Sequence, residues 1–104
     1  MTLRIKSLDH LVVTASDLRA TIDFYTHVLC MEHVEFGEGL HAVHFGGQKF
    51  NLHEVSTDVS PKARKIVPGS EDFCLLTDTP IAEVKAHVES CGVEIEEEIG
   101  RAHV

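Results

Sequence analysis

The chain has 104 residues, 43% of them apolar and 25% charged, with 17 acidic side chains against 9 basic ones and a formal net charge of −8. This describes one small domain of ordinary globular composition and excludes collagen-like, coiled-coil and disordered classes. The acidic balance argues against a nucleic-acid partner, because phosphates are held by clustered Lys and Arg. No apolar run approaches the roughly 20 residues that cross a bilayer, so no membrane partner is expected. The opening Met1-Thr2-Leu3-Arg4-Ile5-Lys6 lacks the apolar stretch of a signal peptide, and a cytoplasmic location is expected.

Ser7 to Thr14 is short and rich in branched residues, which predicts a strand ending at a polar cluster. Ser16 or Asp17 then offers a side-chain oxygen to the free N–H groups of a first helical turn. Leu18, Ile22, Tyr25 and Leu29 fall on one helical stripe with Phe24 and Val28 beside it, predicting a helix over about 17–30. Met31 to Phe36 is a second strand, Gly37-Glu38-Gly39 a turn, and Leu40 to Phe45 a third strand. Gly46-Gly47 is a hairpin signal leading into a fourth strand, Gln48 to Val55. The order is βαβββ over residues 7–55.

Residues 56–70, with Pro61, Pro68 and Gly69, read as a polar linker. The pattern then restarts. Asp72 to Thr77 is an apolar strand, Thr79-Pro80 a helix start, and Ile81, Val84 and Val88 a helical stripe. Gly92 is a helix stop and Val93 to Ile99 begins another strand. The halves superimpose at a constant offset of 62: His10 meets Asp72, Asp17 meets Thr79, and Cys30 meets Gly92. Such a duplication decides a fold. The same offset sends the partners of the third and fourth strands to positions beyond Val104. The expectation is therefore a single domain over 1–104 with an incomplete second module at 71–98. The last residues, Ile99-Gly100-Arg101-Ala102-His103-Val104, back-translate as ATC GGA AGA GCA CAC GTC, a string common in sequencing adapters. Residues 99–104 are thus expected to be a non-native tail, the alternative being a genuine tail of small and basic residues.

Cysteine usage points away from a disulfide framework: three residues, Cys30, Cys74 and Cys91, at wide spacing. Cys74 alternates with Phe73 and Leu75 and is expected to be a small buried residue. There is no Ser-His-Asp or Cys-His arrangement and no Gly-rich phosphate loop. Of the eight histidines, His41 and His44 are expected on the wall or surface of the third strand, and His27, His33, His87 and His103 in solvent.

Asp9-His10-Leu11-Val12-Val13, then Ser16-Asp17-Leu18, Asp23-Phe24-Tyr25 and Val28-Leu29, resemble the opening of the vicinal oxygen chelate superfamily. That group holds glyoxalase I, bleomycin-resistance proteins, fosfomycin-resistance enzymes and extradiol dioxygenases. Gln48-Lys49-Phe50-Asn51-Leu52-His53-Glu54, with Pro61-Lys62-Ala63 and Pro68-Gly69-Ser70, resembles a narrower branch of glyoxalase-domain proteins, some of them virulence-associated. The resemblance covers residues 8–98. It implies an α+β fold of paired βαβββ modules, the second here lacking its last two strands, and a homodimer with swapped or shared modules. One departure is local: the family usually has Gly where Cys30 sits, so Cys30 must hold a strained or differently shaped helix end. Another is the missing end of the second module, which carries a Glu metal ligand in relatives.

A divalent ion needs several His or carboxylate groups converging from rigid elements. Side chains alternate along a strand, so His10, Val12 and Thr14 share one face, and Asn51 and His53 share a face opposite Phe50 and Leu52. In the family, ligands come from the first and last strands of each module. The resemblance therefore implies His10, His53 and Asp72 as ligands of Ni, Zn, Mn or Fe. Asn51 stands in the register that is Glu in some relatives, as a substrate-facing residue. Asp72 alternatively caps the loop before its strand. Lys62, Arg64 and Lys65 form the only basic cluster; they present cations to an anionic substrate group or are a solvated linker.

The function this implies is a metal-dependent glyoxalase-type domain of the lactoylglutathione lyase kind, or a related lyase, isomerase or thiol transferase. The substrate would be a small molecule such as a glutathione adduct. Two rivals share the fold: a ligand-sequestering module of the bleomycin-resistance type without catalysis, and a ring-cleaving dioxygenase.

Overall fold

The computed structural model describes residues 2–56, 67–69 and 71–96. Its first part is a βαβββ unit: strand β1 (Leu11–Ala15), helix α1 (Leu18–Asp23), a π-helical turn (Phe24–Val28), then strands β2 (Glu32–Phe36), β3 (Leu40–Phe45) and β4 (Gln48–Glu54). The four strands form one sheet in the order β1-β4-β3-β2. The two hairpins run antiparallel, while β1 lies parallel to β4, because the chain crosses over through α1 before returning.

Each connection follows from its residues. Asp17 caps α1, its Oδ1 accepting from the Ala20 N–H at 3.0 Å. Gly37 and Gly39 take the positive φ that the β2–β3 turn requires, and Gly46 does the same between β3 and β4. The helix expected over 17–30 is shorter and changes pitch. Leu29 N–H bonds to Phe24 O, and Thr26 Oγ1 donates to Ile22 O at 2.8 Å, competing for a carbonyl the α-ladder would use. The extra residue in that turn brings Val28 into the core, whereas Leu29 is only partly covered and Phe24 is exposed.

The core lies between the sheet and this helix. Val13, Val43, Phe50 and Leu52 of the sheet pack with Tyr25 and Met31, and with Leu18 and Ile22 at the margin. Phe50, 3% exposed, sits at its centre, its ring 5.8 Å from Tyr25, 4.8 Å from Phe45 and 4.9 Å from Phe73. Edge-on and tilted rings at these separations add to the stabilisation from burial alone.

The restart of the pattern holds in part. Helix α2 (Ile81–Ser90) forms where the second stripe predicts it, with Pro80 just outside it rather than in its first turn. Gly92 ends it at φ +78°, and Cys30, 62 positions earlier, ends the first helix at φ +58°. Equivalent positions thus hold the same left-handed conformation, although one of them carries a side chain. The strand expected at Asp72–Thr77 is not formed: residues 71–77 run without a ladder. A strand exists only where a neighbour takes its N–H and C=O groups, and among the described residues no segment pairs with this one. Cys74, expected buried, is exposed for the same reason, since no sheet face encloses it. Residues 93–95 likewise form no strand, and the remainder of Val93–Ile99 from 97 onward lies outside the described residues, as do residues 99–104. Among the described residues no helix is long and apolar enough to cross a membrane.

Candidate functional site

Sheet register decides which side chains meet. In the parallel β1–β4 pair Val12 stands beside Asn51 and Thr14 beside His53, while Ala42 of β3 stands opposite Asn51. Leu11, Val13, Phe50 and Leu52 turn toward α1 and the core. By alternation Thr14, Asn51 and His53 therefore occupy the face turned away from the helix, as the sequence pattern predicts.

His10 stands one residue before β1, with its side chain 39% exposed. Its Nδ1 donates to Asp9 Oδ2 at 2.9 Å. That bond leaves the Nε2 lone pair directed elsewhere, the arrangement by which a carboxylate orients a metal-ligating imidazole. The same pair holds the Asp9 carboxyl below the usual carboxylate range, through the His10 hydrogen bond first and its charge second, with Lys49 adding to the effect. His53 is half-buried, and its pKa is pressed below the ordinary value by burial and then by the charge of His10. The charge of His10 thus reaches His53, and both effects disfavour protonation of His53. On β4, Asn51 Oδ1 is buried and has no hydrogen-bond partner among the described residues. A buried acceptor without a donor is costly and marks a place where a ligand group fits.

The register sets Thr14 rather than His10 beside His53; His10 reaches His53 through its charge, and Asn51 shares the His53 face. The structure does not gather Asp72 with them: among the described residues no group of three His, Cys, Asp or Glu side chains is placed to hold a metal, and Asp72 is exposed. Lys62 and Arg64 lie outside the described residues. Two functional contacts escaped the sequence reading. Asp9 was visible only as the neighbour of His10, and an adjacent Asp-His pair is the signal that finds it. Glu71 reaches the free edge of β1, where its Oε1 accepts the Thr14 N–H at 3.0 Å. It also helps to raise the Tyr25 pKa, behind the larger effect of burial. Glu71, Tyr25, Thr21 and Phe73 line a cavity of about 430 Å³ on the helix side of β1, which neither His10 nor His53 reaches.

Comparison with known proteins follows the same lines. The family described as Glyoxalase/Bleomycin resistance protein/Dioxygenase superfamily matches residues 7–103. The glyoxalase domain-containing protein RDO1 of Mycosarcoma maydis is 44% identical over 95 residues, covering 91% of this chain and 53% of that protein. Virulence protein STM3117 of Salmonella typhimurium is 43% identical over 93 residues, covering 89% and 65%. The chain thus spans between about half and two thirds of the length of these relatives. Among solved structures, an integron cassette protein from Vibrio cholerae superimposes with a TM-score of 0.91 at 44% identity, over 94% of this chain and 77% of that one. A lactoylglutathione lyase from Agrobacterium tumefaciens shares the fold, with a TM-score of 0.71 at 24% identity over 89% and 75%.

Proposed function

The chain belongs to the glyoxalase, bleomycin resistance protein and dioxygenase superfamily, and from that premise we propose that the helix-free sheet face is a divalent-metal site for a small oxygen-bearing substrate. The observation that carries this reading is the electrostatic contact of two imidazoles: His10, bonded through Nδ1 to Asp9, adds to the effect of burial in lowering the pKa of His53 on β4. Neutral imidazole is the form that ligates, and a set of two nitrogens with oxygen donors suits Ni, Zn, Mn or Fe. His10 and His53 would hold the ion, the remaining positions being left to oxygens of water and substrate. Such an ion, when bound, polarises paired substrate oxygens as a Lewis acid.

The chain's own residues supply the rest. Asp9 fixes the tautomer of His10. Burial favours the neutral form of His53. Asn51 Oδ1 accepts a hydrogen bond from a substrate hydroxyl, which removes its own unpaired state. Lys62 and Arg64, basic residues in an acidic chain, would supply positive charge for an anionic substrate end, such as a carboxylate of a glutathione adduct. The activity proposed is of the glyoxalase type, a lyase or isomerase acting on that adduct, with a second copy of the chain completing the site in a homodimer.

A second reading is favoured by one observation. Two imidazoles without a third grouped donor also suit a module that sequesters a ligand without catalysis. Histidine-resolved NMR during a Zn²⁺ titration separates the two. The metal reading predicts that the His10 and His53 rings shift together and that His53→Ala abolishes the His10 shift. Rings that stay unmoved at saturating metal would overturn it.

A further inference from the structure

Three cysteines are free and exposed in the described residues, and two of them approach one histidine of α2, His87. Cys30 Sγ lies 3.6 Å from His87 Nε2, and Cys91 Sγ lies 3.9 Å from the same nitrogen. That nitrogen donates to Val28 O at 2.8 Å, which fixes the ring against the end of the first helix. Cys91 Sγ also reaches His27 O, the neighbouring carbonyl, at 3.9 Å. Because both sulfurs approach one atom, their separation cannot exceed the sum of those two short distances. Cys74 has a different neighbourhood, its sulfur facing Leu75 O.

We propose that Cys30 and Cys91 form a dithiol site, organised by His87, that closes into an intramolecular disulfide when it meets a small-molecule disulfide such as oxidised glutathione. Both thiols sit where a helix ends: Cys30 at φ +58°, and Cys91 as the last residue before Gly92. The backbone conformation at residue 30 is one that favours glycine, so the thiol is held there at a conformational cost. In the reaction one cysteine loses its proton to solvent, and its sulfur attacks the reagent. The reagent's S–S bond breaks and releases one reduced thiol, leaving a mixed disulfide. The other cysteine, likewise deprotonated, attacks that bond, forms the Cys30–Cys91 bond and releases the second reduced thiol. The protein dithiol is oxidised and one reagent disulfide is reduced. His87 is a positioning residue, whose Nε2 both sulfurs approach. The cross-link would join the end of α2 to the end of the first helix of the βαβββ unit.

The test is to incubate the full chain with oxidised glutathione and map the products by mass spectrometry. The expected product has lost two hydrogens, keeps one titratable thiol (Cys74), and yields a peptide pair joining Cys30 to Cys91. Its melting temperature exceeds that of the reduced chain by roughly 10 °C or more, since a long loop has been closed. Cys74→Ser leaves the cross-link intact, Cys91→Ser and Cys30→Gly abolish it, and His87→Ala slows its formation several-fold. Stable glutathione adducts on Cys30 and Cys91 separately, or a link that includes Cys74, would overturn the proposal. Cys30→Gly relieves a strained position, so its failure to cross-link is not a failure to fold.

Discussion

The end of the first helix offers a substitution whose sign follows from one dihedral angle. Cys30 holds φ +58°, where an L-residue brings Cβ against the following carbonyl at a cost of roughly 1–2 kcal/mol. Cys30→Gly removes that penalty but gives the unfolded chain more freedom, which costs roughly 0.5–1 kcal/mol. The side chain is exposed, so little packing is lost with it. The net is a stabilisation of about 0.5–1 kcal/mol, or roughly 2–8 °C in melting temperature for a domain of this size. The assay is a reversible melt under reducing conditions beside Cys30→Ser, which keeps Cβ and should leave stability nearly unchanged. Gly92→Ala supplies the mirror experiment, because Gly92 holds φ +78° with open space around it. It should destabilise by about 1 kcal/mol. A Cys30→Gly variant that melts at or below the parent temperature would refute the reasoning.

Other outcomes follow from the core, the cap and the site. Phe50→Ala removes the ring on which Tyr25, Phe45 and Phe73 converge and should cost about 3–5 kcal/mol in chemical denaturation, unfolding much of the population. Asp17→Ala deprives the Ala20 N–H of its acceptor and should cost about 1 kcal/mol by the same measurement, whereas Asp17→Asn should cost far less. His53 has a folded-state pKa below its ordinary 6.5, so the unfolded chain binds its proton more readily. Its contribution to stability is present above that ordinary value and is lost as pH falls toward the folded pKa. A denaturation series between pH 7.5 and about 5 should show this decline in the parent and a shallower one in His53→Gln.

The first module was legible because its signals are local. Asp17, Gly37, Gly39 and Gly46 punctuate it, and alternation in 48–54 separates Phe50 and Leu52 from Asn51 and His53. The Cys-for-Gly departure at position 30 pointed to a strained or differently shaped helix end, and the positive φ there is the first of these. What local pattern could not decide was pairing. Apolar residues 72–77 satisfy the criteria of a strand, yet a strand is a property of two segments, and Phe73 meets Phe50 by its ring rather than through a ladder. The π-helical turn depends on Thr26 back-bonding, which hydrophobic spacing does not register. His87, read as solvated, keeps an exposed ring but bonds to Val28 O across 59 positions of sequence. Glu71 was missed in the same way, since nothing near it in sequence announces the bare edge of β1. At the candidate site the strand faces followed from alternation, whereas the bond from Asp9 to His10 and the burial of Asn51 Oδ1 required the packed structure.

The central claim is that His10 and His53 bind a divalent metal on the helix-free face. Its most direct test is a thermal melt of the chain with and without Ni, Zn, Mn and Fe(II), beside His10→Ala and His53→Ala. Ligand that binds only the folded state raises the melting temperature by mass action, by about 2.7 kcal/mol of added stability at a hundredfold excess over Kd. The account predicts a rise of several degrees or more with at least one of these ions, lost in both variants. A cooperative melt that none of the four ions shifts, or a shift that survives in His10→Ala, would contradict it.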